Sequence, residues 1–92
     1  MSNSYIPEVI VYTKPRCKQC QDTKNMFNKL GVEYEEVDVT TSQIALARIK
    51  DDWGFTQAPV IEVQDFDVWS GFNPDKIREA AKSIAETTAD AN

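Results

Sequence analysis

Short β-branched runs alternate with stretches of helical spacing along the chain, and this alternation limits the folds that it can adopt. The strand-like runs cover residues 8–13, 34–39, 58–63 and 67–70, and helical spacing covers residues 17–30, 44–53 and a last segment that starts at Asn73. Short strands joined by single helices are typical of α/β proteins. The sequence therefore predicts the element order β-α-β-α-β-β-α.

The two strand–helix–strand connections determine the arrangement expected for the sheet. Because such connections are right-handed crossovers between parallel strands, we expect the first three strands to be mutually parallel. The fourth strand follows the third after a short turn and is expected to lie antiparallel at an edge. The predicted fold class is α/β, with a four-stranded mixed β-sheet flanked by three helices. The 92 residues are expected to form one domain, 1–92, with a tail that frays over about residues 87–92.

Residues at the ends of the predicted helices are start and stop signals. Gly31 follows the first helical stretch and Gly54 follows the second, as expected for residues that end helices. Residues 40–42 (Thr-Thr-Ser) are N-cap candidates for the second helix. Residues 73–75 (Asn-Pro-Asp) combine an N-cap, a proline at the first helical position and an acid in the first turn. The third helix is therefore predicted to start at this segment.

Composition excludes several classes of function. The chain contains no histidine, which excludes Ser-His or Cys-His catalysis and metal sites that need imidazole. Its net charge of −5 argues against general binding of nucleic acid, which needs a broad basic face. No apolar run approaches the roughly 18–20 residues that span a bilayer, and the first eight residues do not resemble a secretory signal. We expect a cytoplasmic, monomeric protein that binds neither nucleic acid nor membranes.

The chain has two cysteines, Cys17 and Cys20, in the spacing C-x-x-C. A disulfide framework is therefore excluded, and a tetrahedral zinc site would need ligands beyond these two sulfur atoms. The remaining interpretation is a redox-active dithiol, which this spacing indicates beside a βαβ pattern. Two alternatives stay open: a pair of inert structural thiols, and a module in which the dithiols of two chains hold a metal or cluster. No bound cofactor is expected.

The predicted position of Cys17 favours its reactive form. It lies at the N-terminus of the first helix, where free N–H groups and the helix dipole stabilise an anion, and Lys14, Arg16 and Lys18 are close in sequence. Both effects lower the pKa of a thiol, so we assign Cys17 as the attacking nucleophile. Cys20 lies one turn further on the apolar stripe and is expected to be shielded, as a resolving cysteine. The alternative is that the basic residues are only a solvated helix end.

Two further segments are ambiguous on their residues alone. Pro59, after Ala58, introduces the third strand and is compatible with either a cis or a trans peptide bond. For Trp69 and Phe72, the residues alone favour packing, at an edge strand and at the start of the last helix, over contact with a partner.

Three segments together resemble the NrdH-redoxins, glutaredoxin-like members of the thioredoxin superfamily. They are V-Y-T-K-P-R-C-K-Q-C at residues 11–20, Q-A-P-V at residues 57–60 and W-S-G-F-N-P-D-K-I at residues 69–77. The similarity extends from about Val9 to Ile84. It implies the thioredoxin fold, with Pro59 in the cis form beside the dithiol and Cys17 and Cys20 as the redox pair.

The resemblance also implies a task and a set of residues around the site. The task is to carry electrons from thioredoxin reductase, which NADPH supplies, to the large subunit of a class Ib ribonucleotide reductase. The residues expected to shape the site are Lys14, Pro15, Arg16, Lys18, Gln19, Ala58 and Pro59. The residues expected to help dock the partner are Trp69, Ser70, Gly71 and Phe72.

The chain departs from neighbouring families at the same segments. Glutaredoxins commonly carry C-P-Y-C and a Gly-Gly pair followed by Thr/Ser-Asp that holds glutathione, whereas residues 70–74 here read S-G-F-N-P. Thioredoxins carry C-G-P-C and a buried aspartate on the preceding strand, and residues 9–13 contain no carboxylate. NrdH-redoxins often have a basic residue before Pro74, where this chain has Asn73. A glutathione-dependent glutaredoxin is therefore the alternative function, and we expect weak glutathione binding.

Overall fold

The computed structural model describes residues 9–64 and 66–90, with side chains described as far as residue 84. The elements are β1 (Val9–Thr13), α1 (Lys18–Lys29), β2 (Glu35–Asp38), α2 (Gln43–Ala47, continued by a π-helical turn over Arg48–Asp52), β3 (Val60–Val63), β4 (Asp67–Ser70) and α3 (Pro74–Asp90). Each strand falls within a run predicted from the sequence. The predicted element order and the mixed four-stranded sheet with three helices are confirmed.

The directions of the strands differ from the prediction at β3. The sheet order is β2-β1-β3-β4, with β1 parallel to β2, but β3 runs antiparallel to β1 and β4 antiparallel to β3. The expectation of three mutually parallel strands was therefore wrong. Asp38 pairs with Thr13 and Val60 pairs with Tyr12, so β2 ends and β3 begins at the same edge of the sheet. The irregular segment 53–59 after the helical turns carries the chain back to that edge.

The ends of the helices follow the signals in the sequence. Leu30 caps α1, and Gly31 follows with a φ of 75°. Ser42 begins α2 because its side chain accepts a hydrogen bond from the amide of Ala45 at 3.2 Å. The predicted single helix 44–53 instead ends in a π-helical turn, in which the amide of Trp53 bonds to the carbonyl of Arg48.

Fraying was expected over about residues 87–92, at the end of the last helix. The backbone of α3 is helical as far as Asp90, and residues 91–92 lie outside the described residues. The expectation stays a prediction.

The core has two parts, one on each face of the sheet, because successive side chains of a strand point to opposite faces. The part under α1 and α3 contains Val9, Val11, Phe27, Ile61, Val63, Trp69, Ile77 and Ala80. The part under α2 contains Tyr12, Val39, Ala45, Ile49 and Val60. β1 contributes side chains to both parts, and the turn with the cysteines follows its C-terminal end.

Tyr12 lies in a polar cluster on the α2 face. Its hydroxyl donates to Glu62 at 2.9 Å, and Glu62 also accepts from Arg48 at 3.3 Å. Arg48 in turn lies over the ring of Trp53, 4.9 Å from its centroid. Burial, followed by the hydrogen bond to Glu62, raises the pKa of Tyr12 to about 12. These contacts connect the π-helical turn after α2 to the two central strands, β1 and β3.

Candidate active site at the dithiol

Cys17 and Cys20 form a disulfide at the N-terminus of α1, with their Cα atoms 5.2 Å apart. Cys17 is partly exposed, whereas Cys20 is only 2% exposed. This is the difference in exposure that the helical spacing predicts. A partner can therefore reach Cys17 from solvent, and Cys20 is shielded on the inner face of the helix.

A tight turn places Cys17 as the N-cap of α1. Arg16 precedes it in the left-handed region with a φ of 61°, directly after Pro15. The amide of Cys20 donates to Cys17 Sγ at 3.1 Å, and the amide of Gln21 donates to the Cys17 carbonyl at 3.1 Å. Amides at a helix N-terminus stabilise negative charge on a capping atom. The same geometry will stabilise a thiolate on Cys17 once the disulfide is reduced.

An open polar groove of about 660 Å³ runs beside the dithiol. Its lining residues are Thr13, Lys14, Pro15, Arg16, Cys17, Lys18, Cys20, Gln21, Lys24, Glu36 and Asp38. Two of its cations face acids: Lys18 lies 3.4 Å from Asp22, and Lys24 lies 3.0 Å from Glu36. The site-shaping residues predicted before and within the C-x-x-C motif, except Gln19, line this one groove.

Glu36 is a groove residue that the sequence analysis did not identify. It accepts hydrogen bonds from Lys24 at 3.0 Å and from the Thr13 hydroxyl at 2.9 Å. The hydrogen bond from Lys24 is the main reason that the pKa of Glu36 lies below its ordinary value. Lys24 could have been found, since it follows Cys20 by four residues on one helix face. Glu36 could not, because the parallel register of β1 and β2 brings it there.

The Ala58–Pro59 peptide bond is cis, as the resemblance implied. Pro59 is buried and immediately precedes β3, at the sheet edge that carries the dithiol turn. Its carbonyl accepts a hydrogen bond from the amide of Gly71 at 2.8 Å. The Ser70 hydroxyl donates to the carbonyl of Gln57 at 3.0 Å. The segment around Pro59 is thus attached to the loop that follows β4.

Gln19 attaches the same loop to the C-x-x-C motif. Its side-chain oxygen accepts a hydrogen bond from the amide of Phe72 at 3.0 Å. Gly71 has a φ of 88°, and a Cβ atom at that position would lie 3.5 Å from the same oxygen of Gln19. The distance is an ordinary van der Waals contact, so a glycine is favoured at this position by the backbone conformation. The three hydrogen bonds bring the predicted loop 70–72 to the dithiol.

The predicted docking residues are not equally accessible. Trp69 is 6% exposed and packs in the core under α1 and α3, while Lys76 lies 5.8 Å from its ring centroid. Phe72 is 37% exposed and follows Gly71 at the surface. The structure therefore favours packing for the Trp69 side chain, the alternative that the residues alone favoured. Phe72 remains available to a partner.

An apolar cleft of about 350 Å³ lies on the α2 side of Lys14. Its lining residues are Lys14, Val39, Leu46, Ile49, Lys50, Phe55, Thr56, Gln57 and Ala58. Lys14 lines both this cleft and the polar groove. The cleft and the groove therefore meet at Lys14, three residues before Cys17.

The described residues lack two features that would suggest a metal site or a membrane span. The described residues contain no group of three or more His, Cys, Asp or Glu side chains placed to hold a metal ion. Within the same residues, no helix is both long enough and apolar enough to cross a bilayer.

The fold and the cysteine pair define a class of protein. A mixed sheet with a partly exposed and a buried cysteine at the start of α1, and a cis-proline at the same edge of the sheet, is typical of thioredoxin-like thiol–disulfide oxidoreductases. Comparison with known proteins identifies a family within this class. Residues 9–68 match the glutaredoxin family.

Individual relatives agree with that match. The glutaredoxin-like protein NrdH of Salmonella typhimurium is 38% identical over 69 residues, which are 75% of this chain and 83% of that protein. The Gene 56 protein of Mycobacterium phage D29 is 32% identical over 71 residues, covering 77% and 79% of the two chains. The solved structure of Escherichia coli NrdH-redoxin superposes with a TM-score of 0.73 at 34% identity, covering 77% of this chain and 91% of that one. The chain belongs to the glutaredoxin family, among its NrdH glutaredoxin-like proteins.

Proposed function

We propose that this protein carries electrons from thioredoxin reductase to the large subunit of a class Ib ribonucleotide reductase. The similarity to NrdH proteins supports this proposal, and the E. coli relative is described as a glutaredoxin-like protein with a thioredoxin-like activity profile. NADPH is the source of electrons, used by the reductase and not bound here. We place this activity in the cytoplasm, where thiols are kept reduced, and expect a monomer.

Cys17 and Cys20 divide the exchange reaction into two steps. The Cys17 thiolate attacks one sulfur of the partner's disulfide, a mixed disulfide forms, and the partner's second sulfur leaves as a thiolate that takes up a proton. The Cys20 thiol then loses its proton and attacks Cys17 Sγ. The Cys17–Cys20 disulfide forms and the partner's first sulfur leaves as a thiol. The partner has gained two electrons from the dithiol and two protons, one from Cys20 and one from solvent. Thioredoxin reductase then supplies two further electrons, which reduce the Cys17–Cys20 disulfide to the dithiol again.

The loop after β4 is the main reason to propose thioredoxin reductase and not glutathione as the electron donor. Each of its residues donates one hydrogen bond: Ser70 to Gln57, Gly71 to Pro59, and Phe72 to Gln19. In glutaredoxins the corresponding segment is the small-residue platform and carboxylate that hold glutathione. In this chain the segment carries the large side chain of Phe72, and the backbone amide of Phe72 already donates a hydrogen bond to Gln19. This arrangement disfavours glutathione and supports a protein reductant.

Two coupled assays on the purified protein test this proposal. Both follow NADPH consumption with a small disulfide substrate: one supplies thioredoxin reductase, and the other supplies glutathione with glutathione reductase. We expect turnover in the first assay and little in the second. The Cys17→Ser variant is the background control in both.

The outcomes separate the two candidate functions. Turnover only with glutathione would make the protein a glutathione-dependent glutaredoxin and would contradict the proposal. Turnover with thioredoxin reductase leads to a direct test, in which the protein replaces dithiothreitol as reductant of a class Ib ribonucleotide reductase. Failure to support that reaction would restrict the protein to other disulfide partners.

A further inference from the structure

Arg16 has a backbone conformation that its residue type disfavours. Its φ is 61°, and among the described residues it is the only residue other than glycine with a positive φ. The left-handed region brings the Cβ of an L-residue close to its own carbonyl oxygen, which glycine avoids and asparagine tolerates. Such strain clusters at functional sites, where the side chain is needed in spite of it.

The charge of Arg16 is not used within the described part of the fold. Arg16 and Lys14 are exposed, line the polar groove with Cys17, and have no ion-pair or hydrogen-bond partner among the described residues. Lys18 and Lys24, the other two cations of the groove, face Asp22 and Glu36. The unpaired positive charge is therefore concentrated on the residues just before the nucleophile.

The rest of the chain has the opposite charge. Residues 31–92 hold five basic residues against thirteen acidic ones, whereas residues 1–30 hold five basic against two acidic. The groove beside the dithiol is lined by four cations (Lys14, Arg16, Lys18 and Lys24) and two carboxylates (Glu36 and Asp38), whereas the rest of the chain is acidic. An anionic partner is therefore attracted to the groove and repelled by the remaining charge. Such an asymmetry orients a charged partner during encounter.

We propose that Arg16, assisted by Lys14, recognises a carboxylate next to the disulfide of the substrate, so that the preferred substrates are acidic disulfide-bearing peptide segments. This inference rests on the proposed function, since it concerns the disulfide reduced by the same cysteine. A carboxylate beside the disulfide is repelled by the Cys17 thiolate as the two approach. A guanidinium can bind that carboxylate through two parallel hydrogen bonds and offset the repulsion. Arg16 acts here as a specificity residue, because its effect on the Cys17 thiolate is common to all substrates and cancels in a comparison of two substrates.

A pair of cyclic disulfide peptides tests this inference. The peptides have the same length, and one carries Asp beside each cysteine where the other carries Asn. The prereduced protein is mixed with each peptide, and the second-order rate of peptide reduction is measured after acid quench. Because a carboxylate also changes intrinsic reactivity, each rate is divided by that of dithiothreitol with the same peptide. We expect the normalised Asp/Asn ratio to be about 10 at low ionic strength and to fall severalfold in 0.5 M NaCl.

Matched variants locate the effect. Arg16→Gln removes the charge but leaves an unbranched L-residue at the same positive φ, and it should lower the Asp/Asn ratio to about 2. Arg16→Lys keeps the charge and should retain most of the preference for the Asp peptide. Lys29→Gln makes the same change in net charge at the far end of α1, where Lys29 is exposed, and should leave the ratio unchanged.

The failures of the two proposals are distinguishable. If the wild-type protein reduces both peptides at equal normalised rates, or if Arg16→Gln keeps the preference, the inference about Arg16 is overturned and the redox function stands. An equal loss in Lys29→Gln would show that only the net charge matters and would also overturn it. If neither peptide is reduced faster than by Cys17→Ser, the proposed redox function itself fails.

Discussion

The two cysteines differ in their surroundings, and this difference supports the proposed order of the chemical steps. Cys17 is partly exposed and accepts the amide hydrogen of Cys20, while the side chain of Cys20 is almost fully buried. A thiolate is therefore stabilised and accessible at Cys17. Cys20 is reached by the sulfur of Cys17 and not by a bulky partner.

Substitution of each cysteine by serine should separate the two roles. Cys17→Ser should abolish disulfide reduction, because it removes the attacking sulfur. Cys20→Ser should accumulate a mixed disulfide with the substrate, because nothing displaces it. Mass spectrometry of the quenched reaction measures the adduct. An adduct that forms in Cys17→Ser and not in Cys20→Ser would reverse the assignment.

Tyr12 makes the stability of the fold depend on pH at the alkaline end. Its pKa is raised to about 12 in the folded protein, from an ordinary value of about 10 in an unfolded chain. The neutral phenol is thus favoured by folding, so its contribution is fully present below about pH 10 and is lost as the pH rises towards 12. A shift of this size corresponds to about 2–3 kcal/mol.

Tyr12→Phe isolates this effect from the titration of lysines over the same range. Denaturant unfolding of both proteins should show that the wild type loses about 2 kcal/mol more than the variant between pH 9 and the most alkaline pH at which both still fold. Parallel losses in the two proteins would show that the pKa of Tyr12 is not coupled to folding.

At the scale of elements, the loop between β4 and α3 is held to two other segments by three hydrogen bonds. Ser70 and Gly71 are bonded to the segment before β3, and Phe72 is bonded to Gln19 in the first turn of α1. The loop is therefore positioned by the elements that carry the dithiol and the cis-proline. We therefore expect the conformation of the loop to respond to a change at Gln19.

Gln19→Leu tests this expectation, because leucine has a similar volume and no acceptor. Loss of one hydrogen bond typically costs about 1 kcal/mol, so hydrogen exchange at the Phe72 amide should accelerate about fivefold. Gln21→Leu is the control on the same helix, since the Gln21 side chain donates to Asn25. NMR-detected exchange that is equally fast in both variants would contradict the role given to Gln19.

At the scale of the whole molecule, stability depends on two layers of apolar side chains packed against a small sheet. Phe27 is fully buried between α1 and the sheet, in the cluster that also contains Trp69. Small domains are stable by only about 5–15 kcal/mol, so one large cavity removes a substantial part of that free energy.

Phe27→Ala should lower the free energy of unfolding by about 3–5 kcal/mol, through lost burial and the cavity left behind. Denaturant unfolding gives this value directly. Phe66→Ala is the control, because Phe66 is 38% exposed beside β4 and should cost under about 1 kcal/mol. Equal costs for the two variants would show that the core is not organised as described.

The strands, the helices and the cysteine pair could be predicted from the sequence. These features depend on residues within a few positions of each other: the strand and helix segments, the cap at Ser42, the glycine that follows α1 at Gly31, and the different exposure of Cys17 and Cys20. Local propensity, capping and helical spacing act over that range. The resemblance to NrdH-redoxins added the cis-proline, which residue patterns alone left undecided.

Features that depend on residues far apart in the sequence could not be predicted from it. The antiparallel direction of β3 and the position of Glu36 beside the dithiol follow from strand register and sheet order. The bond between Gln19 and Phe72 joins residues 53 positions apart. The unusual backbone of Arg16 likewise depends on how the turn joins β1 to α1. Long-range packing selects among local conformations that the sequence leaves nearly equal in free energy.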